Sequence, residues 1–102
     1  MITKRVSIEW IPESQGGRAK PPLGAGEPPY STVVHFPGEP WPHPDGSWSL
    51  VIRKNVPLSG EYQWVADVHY LVDDAPHESL RVGREFELYE GNKCVARGRI
   101  IE

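Results

Sequence analysis

We predict an all-β fold for this chain on two observations. The first is a two-residue alternation of apolar and polar side chains, the period of a β-strand, which recurs in six short runs. The second is the position of the turn residues. The 11 prolines and 10 glycines make up more than a fifth of the 102 residues and concentrate between the runs. No segment has a convincing helical period, and we expect at most one helical turn, over residues 76–80.

The six predicted strands follow one another along the whole chain. They cover residues 2–10, 30–36, 47–54, 62–72, 86–88 and 93–101. In the first strand Lys4 interrupts the apolar face, and we expect its ammonium group to reach solvent near one end of the fold. The fourth shows the clearest alternation, with one face formed by Tyr62, Trp64, Ala66, Val68, Tyr70 and Val72. Residues 57–60 and 74–76 are predicted breaks between strands.

The last two strands are predicted to be adjacent and antiparallel. Residues 90–93 read Glu-Gly-Asn-Lys, and Gly and Asn readily take the positive φ of a tight hairpin turn. In the last strand the even positions are mostly small: Cys94, Ala96, Gly98 and Ile100. The alternation alone fits either a sandwich or a closed barrel. Small residues facing large ones such as Trp10 and Trp64 suit the tight interior of a small barrel.

The shared parity of residues along each strand predicts the hydrophobic core. Every second residue of a strand points to the same side, so the apolar positions of each run lie together. The predicted core contains Val6, Ile8, Trp10, Val34, Trp48, Leu50, Trp64, Val68, Phe86 and Leu88.

Composition sets the class of protein. A length of 102 residues fits one domain, and the hydrophobic fraction of 38% and charged fraction of 25% are ordinary for a globular chain. The net charge of −3 disfavours binding to nucleic acid through phosphates. A single cysteine excludes an internal disulfide and fits a cytoplasmic location. No signal peptide follows Lys4 and Arg5, and no run is long enough to span a membrane, so we expect no membrane contact.

No catalytic or cofactor motif is present. The glycine-rich segment of residues 24–26 lacks the lysine and helix of a phosphate-binding loop, so we expect no nucleotide binding. His35, His69 and Asp67 share the outward parity of the second and fourth strands and converge only if those strands are neighbours. We favour separate surface residues, since no zinc-ligand spacing accompanies them. The parity of Cys94 predicts a buried structural cysteine rather than a nucleophile. We therefore predict no enzyme activity, no metal and no cofactor.

Two loops contain candidate partner-binding residues. Trp41 lies between two prolines and either anchors a partner or, the reading that we favour, plugs one barrel end. Arg18 and Lys20 form a small basic loop. Arg18 either holds a carboxylate or phosphate, or is bonded to a backbone carbonyl. We predict a partner-binding face formed by residues 16–20 and 37–46, with Arg18, Lys20 and Trp41 as its binding residues.

Two groups of residues resemble the C-terminal β-barrel domain of elongation factor Tu. The first is Gly16-Gly17-Arg18, followed by Pro21, Pro28 and Tyr30. The second comprises Leu80-Arg81-Val82-Gly83, Phe86-Glu87-Leu88, Glu90-Gly91 and Val95-Ala96-Arg97-Gly98. The similarity covers nearly the whole chain, with strands in the same order. It implies a six-stranded antiparallel Greek-key barrel over residues 1–102.

The resemblance also defines what the chain has in common with a tRNA-binding surface and what it lacks. In the family this barrel contacts tRNA, and the arginine that helps to hold the tRNA backbone matches Arg18. Glu27 and Pro29, however, stand where the family has Arg and Gln, and a carboxylate near phosphate is repulsive. The GTPase motif is absent. We therefore expect a stand-alone module that binds another protein, with RNA binding as the disfavoured alternative.

Overall fold

The computed structural model describes residues 2–19, 21, 29–39, 48–60 and 62–102. Six strands account for most of them, and the predicted all-β fold is confirmed. The strands are β1 Lys4–Trp10, β2 Tyr30–His35, β3 Trp48–Ser59, β4 Gln63–Tyr70, β5 Glu85–Glu90 and β6 Lys93–Ile100. Two single-turn 3-10 helices, Glu13–Gln15 and His77–Ser79, complete the elements, and the second lies in the segment predicted as a helical turn. In the described part of the chain no helix is long and apolar enough to cross a membrane.

The strands form a closed barrel in the order β1-β4-β3-β2-β5-β6, with every neighbouring pair antiparallel. After the β2–β3–β4 meander, β5 returns to pair with β2, which is the Greek-key arrangement. The structure therefore selects the barrel over the sandwich. We call the end that holds the β5–β6 turn the hairpin end. The distal end holds the starts of β1, β3 and β5 and the ends of β2, β4 and β6.

The core has the predicted register. Eight of the ten predicted core residues are buried, while Trp48 and Trp64 are partly buried and pack against the others. Leu80, from the connection between β4 and β5, is also fully buried.

Gly98 in β6 shows why this strand carries small residues. A Cβ at position 98 would lie 2.7 Å from the carbonyl oxygen of Ser7 and closer still to the ring of Phe86. Neighbouring groups therefore approach this glycine closely, and the space that its missing side chain leaves is filled by Phe86.

Two details of the strands differ from prediction. Residues 57–60 were predicted as a break, but β3 continues to Ser59 through two irregularities in its pairing with β4. The pairing of β5 with β6 shifts its register between Leu88 and Tyr89. This shift places Val95 of β6 in the core and leaves Cys94 only partly buried. Simple alternation missed both because a bulge changes which residues face inward.

Candidate interaction surfaces

The loop that carries Arg18 folds back onto the end of β1. The amide of Arg18 donates to the carbonyl of Ile11 at 3.0 Å, and the amide of Gly17 donates to the carbonyl of Pro12 at 2.9 Å. A Cβ at Gly17 would overlap the carbonyl group of Ile11, while Gly16 takes a φ of +90°. These two glycines form a sharp turn, which places Arg18 against the barrel wall.

Arg18 binds a carboxylate of the chain itself. Its guanidinium donates to Glu90 and lies 4.9 Å from the ring centroid of Tyr30, whose hydroxyl donates to the same carboxylate oxygen. Burial, followed by the hydrogen bond with Glu90, raises the pKa of Tyr30 to about 12. Burial opposes ionisation of Glu90, but hydrogen bonds from Tyr30 and Arg18 outweigh it and lower the pKa of Glu90. In this arrangement Arg18 fastens its loop to the hairpin end of the barrel.

The described parts of the two predicted loops lie at opposite ends of the barrel. Arg18 lies beside Tyr30, at the start of β2. Residues 37–39 lie just after His35, at the end of β2. The six residues of β2 separate the two positions by about 17 Å. Trp48, at the start of β3, also belongs to the distal end.

Some residues singled out from the sequence lie outside the described ranges, so their predictions stay predictions. These residues are the predicted binding residues Lys20 and Trp41, the acid Glu27 and the glycine-rich residues 24–26.

The histidines do not converge. Strand β3 separates β2 from β4, so His35 and His69 lie on strands that are not neighbours. Nε2 of His69 accepts from Nε of Arg53 at 3.2 Å, and its Nδ1 donates to the carbonyl of Tyr70 at 2.8 Å. This side chain is 7% exposed, not the solvated surface residue that the sequence suggested. Among the described residues no group of three His, Cys, Asp or Glu side chains is arranged to hold a metal ion.

His35 ties β2 to β5 and to the turn that follows β2. Its Nδ1 lies 2.9 Å from the carboxylate of Glu87 and its Nε2 lies 2.9 Å from the carbonyl oxygen of Glu39. Both partners accept hydrogen bonds, so the arrangement favours the doubly protonated ring. Burial lowers the pKa of His35, but the bonds to Glu87 and Glu39 outweigh burial and raise it above its ordinary value.

Cys94 is not activated. Burial is the main cause that raises the pKa of its thiol, and the charge of Glu87 adds to the effect. A raised pKa reduces the thiolate fraction, which is the reactive form.

Charges alternate on the outer face of β5, β6 and β1. Arg97 in β6 is flanked in register by Glu87 of β5 and Glu9 of β1. Arg99 donates to Glu85 at 2.5 Å. This face therefore presents no continuous basic track of the kind that follows a phosphate backbone.

The outer face of β1, β4 and β3 is more basic. Arg5, Asp67 and Arg53 lie side by side in register across the three strands. Arg5 is 3.3 Å from one oxygen of Asp67, and Lys54 is 3.8 Å from the other. We call Arg5, Arg53 and Lys54 the basic row. Sequence reasoning missed it because these residues become neighbours only through the strand order.

Exposed apolar side chains gather at the distal end. Seven large apolar side chains are exposed among the described residues, and five of them lie just beyond strand ends on this side. We call these five the apolar rim: Ile2, Leu71, Val72, Val82 and Ile101, exposed by 41% to 65%. They occupy an arc over β4, β1, β6 and β5, which are consecutive in the barrel. The sequence prediction had placed Ile2, Val72 and Ile101 within strands, but β1, β4 and β6 stop short of them.

Comparison with known proteins gave no assignment, since neither a protein-family model nor a curated protein matches the chain.

Proposed function

We propose that this chain is a non-enzymatic interaction module that binds another protein in the cytoplasm, on a barrel that resembles the C-terminal domain of elongation factor Tu. The apolar rim is the observation that carries the proposal. Exposed apolar side chains clustered at one end of a small domain are costly in water and are typical of protein-binding sites. The rim also gathers side chains from both halves of the sequence on one end of a rigid barrel, where a partner can contact all of them at once.

The polar groups of the described residues support a binding role over a catalytic one. His35, His69 and His77 form hydrogen bonds with different residues, so they do not share a site. The pKa of the Cys94 thiol is raised. No nucleophile, base and orienting group are brought together among these residues, as an acyl- or phosphoryl-transfer site requires. We accordingly propose no metal, cofactor or nucleotide.

RNA binding is the weaker candidate. The family resemblance assigns the tRNA backbone contact to Arg18, but its guanidinium already donates to Glu90. Arg97, another basic residue on the outside of the barrel, lies between two glutamates. Repulsion from these carboxylates opposes a phosphate at either position.

The proposal is tested by affinity capture with a matched pair of variants. Val82 is 65% exposed in the apolar rim, and Leu58 is 64% exposed at the hairpin end. Both are changed to Asp, and each immobilised variant is compared with the wild type in native cell lysate, with retained proteins identified by mass spectrometry. We expect a protein partner that Val82→Asp loses and Leu58→Asp retains. Equal retention by both variants, or retention of RNA that weakens steeply with salt, would contradict the proposal.

A further inference from the structure

We propose that the basic row binds an acidic segment of the partner protein, next to the apolar rim. This inference rests on the proposed function and adds the chemistry of the partner. It goes beyond the apolar contact because Arg53 in the row is oriented by a hydrogen bond to His69 rather than by a carboxylate.

Arg53 is oriented by His69. Its Nε donates to Nε2 of His69, which is buried and held in turn by the carbonyl of Tyr70. No carboxylate in the described part of the chain lies within 4.0 Å of Arg53. Because this bond uses Nε, the two terminal nitrogens of the Arg53 guanidinium are able to bind both oxygens of one carboxylate, which is a bidentate arrangement.

Lys54 adds a second cation in an unusual backbone conformation. It has a φ of 52°, the one positive φ among the described non-glycine residues, at the irregularity between Arg53 and Val56. Its side chain is 76% exposed and lies 3.8 Å from Asp67. A lysine in the left-handed region costs free energy that glycine or asparagine would largely avoid. Such strain concentrates at ligand-binding positions, which fits a lysine placed to meet an anion.

Charge complementarity identifies the occupant as acidic. Two cations of the row, Arg5 and Lys54, lie within 4.0 Å of Asp67, and Glu102 is 4.0 Å from Arg5. Arg53 is opposite Asp67 in register but is not paired with it. The whole chain carries a net charge of −3, whereas the three cations of the row outnumber the two acids beside them, Asp67 and Glu102. A glutamate- or aspartate-rich segment is attracted to this local excess of positive charge.

The basic row lies near the apolar rim. Asp67 and Leu71 are four residues apart along β4 and the chain that follows it, which is about 13 Å. His69 lies between them on the same outward side. An extended partner segment with apolar residues about four positions from acidic ones therefore contacts both surfaces.

The test uses dye-labelled peptides whose binding is followed by fluorescence anisotropy at low and moderate salt. The first probe has two leucines followed by a run of glutamates, and the second replaces the glutamates with glutamines. A duplex RNA fragment is the third probe. Arg53→Gln and Lys54→Asn each remove one charge, and asparagine tolerates the positive φ at position 54. Arg97→Gln on the opposite face is the control.

We expect the glutamate peptide to bind more tightly than the glutamine peptide, with an advantage that falls as salt rises. Arg53→Gln and Lys54→Asn should each weaken it by about fivefold, the upper range for a surface ion pair. Arg97→Gln should leave it unchanged. Equal binding of the two peptides, or tighter RNA binding that depends on Arg53, would overturn the inference.

Capture of the cellular partner with both variants distinguishes failure of this inference from failure of the proposed function. If Val82→Asp loses the partner while Arg53→Gln retains it at wild-type level, the acidic-segment inference fails and the proposed function stands. If both variants retain the partner, both proposals fail.

Discussion

Arg18 donates to the carboxylate of Glu90 across 72 positions of sequence and fastens the loop after β1 to the end of β5. Both side chains are about one third exposed or less, which limits solvent screening of the pair. Arg18 is thus a structural residue in the described barrel, and its removal should be visible in stability before it is visible in binding.

Arg18→Ala should lower the free energy of unfolding by about 1 kcal/mol. The substitution removes one of the two side-chain donors to Glu90 among the described residues and leaves the Tyr30 hydroxyl. Arg99→Ala is the control, because the Arg99–Glu85 pair is more than half exposed and should contribute close to nothing measurable. Urea denaturation of both variants measures the difference. Equal losses would mean that the Arg18 pair is no stronger than an ordinary surface contact.

His35 should make stability depend on pH. Its pKa is raised in the folded state above the ordinary 6.5, so its contribution is fully present below that value and is lost as pH rises through the folded pKa. We expect the wild type to lose stability as the pH rises above 6.5 and the His35→Gln variant to lose less. Denaturation at a series of pH values tests this, and identical pH profiles would contradict it.

Gly98→Ala should destabilise the barrel by about 1–3 kcal/mol, because the added methyl group meets the ring of Phe86 and the backbone of Ser7. Phe86→Leu in the same chain should recover part of the loss by making room. A double-mutant cycle on melting temperature measures the coupling between the two positions. Additive effects would show that the two side chains do not compete for the same space.

Trp10→Ala should cost about 3–5 kcal/mol, since Trp10 is 1% exposed and packs edge to face against Tyr30 with ring centroids 5.8 Å apart. Trp64→Ala should cost less because Trp64 is only partly buried. Both variants are compared by chemical denaturation. A larger loss at Trp64 would place the centre of the core elsewhere.

Alternation predicted the middle of each strand well, because a residue such as Ile8 or Val68 is buried by the sheet to which it belongs. It failed near strand ends and bulges. Cys94 lies beside a register shift, and Ile2 and Val72 lie beyond the last paired residues, where burial depends on the connections. Local sequence contains no information on those connections.

The candidate surfaces were harder to predict, for a topological reason. Arg18 was singled out by its loop, but its partner Glu90 was not, since nothing near either residue specifies the other. Arg5 and Arg53 are neighbours of Asp67 only because β4 lies between β1 and β3. A Greek-key order brings distant segments together, and residue spacing does not show which ones.

The central claim is that a partner protein docks on the distal end of the barrel. Amide hydrogen exchange on the purified complex tests it most directly, since docking protects exposed backbone amides that it covers. We predict increased protection at residues 72 and 82 of the apolar rim, with no change at residues 56 and 58 of the hairpin end. Protection confined to the hairpin end, or none at the distal end, would contradict the account.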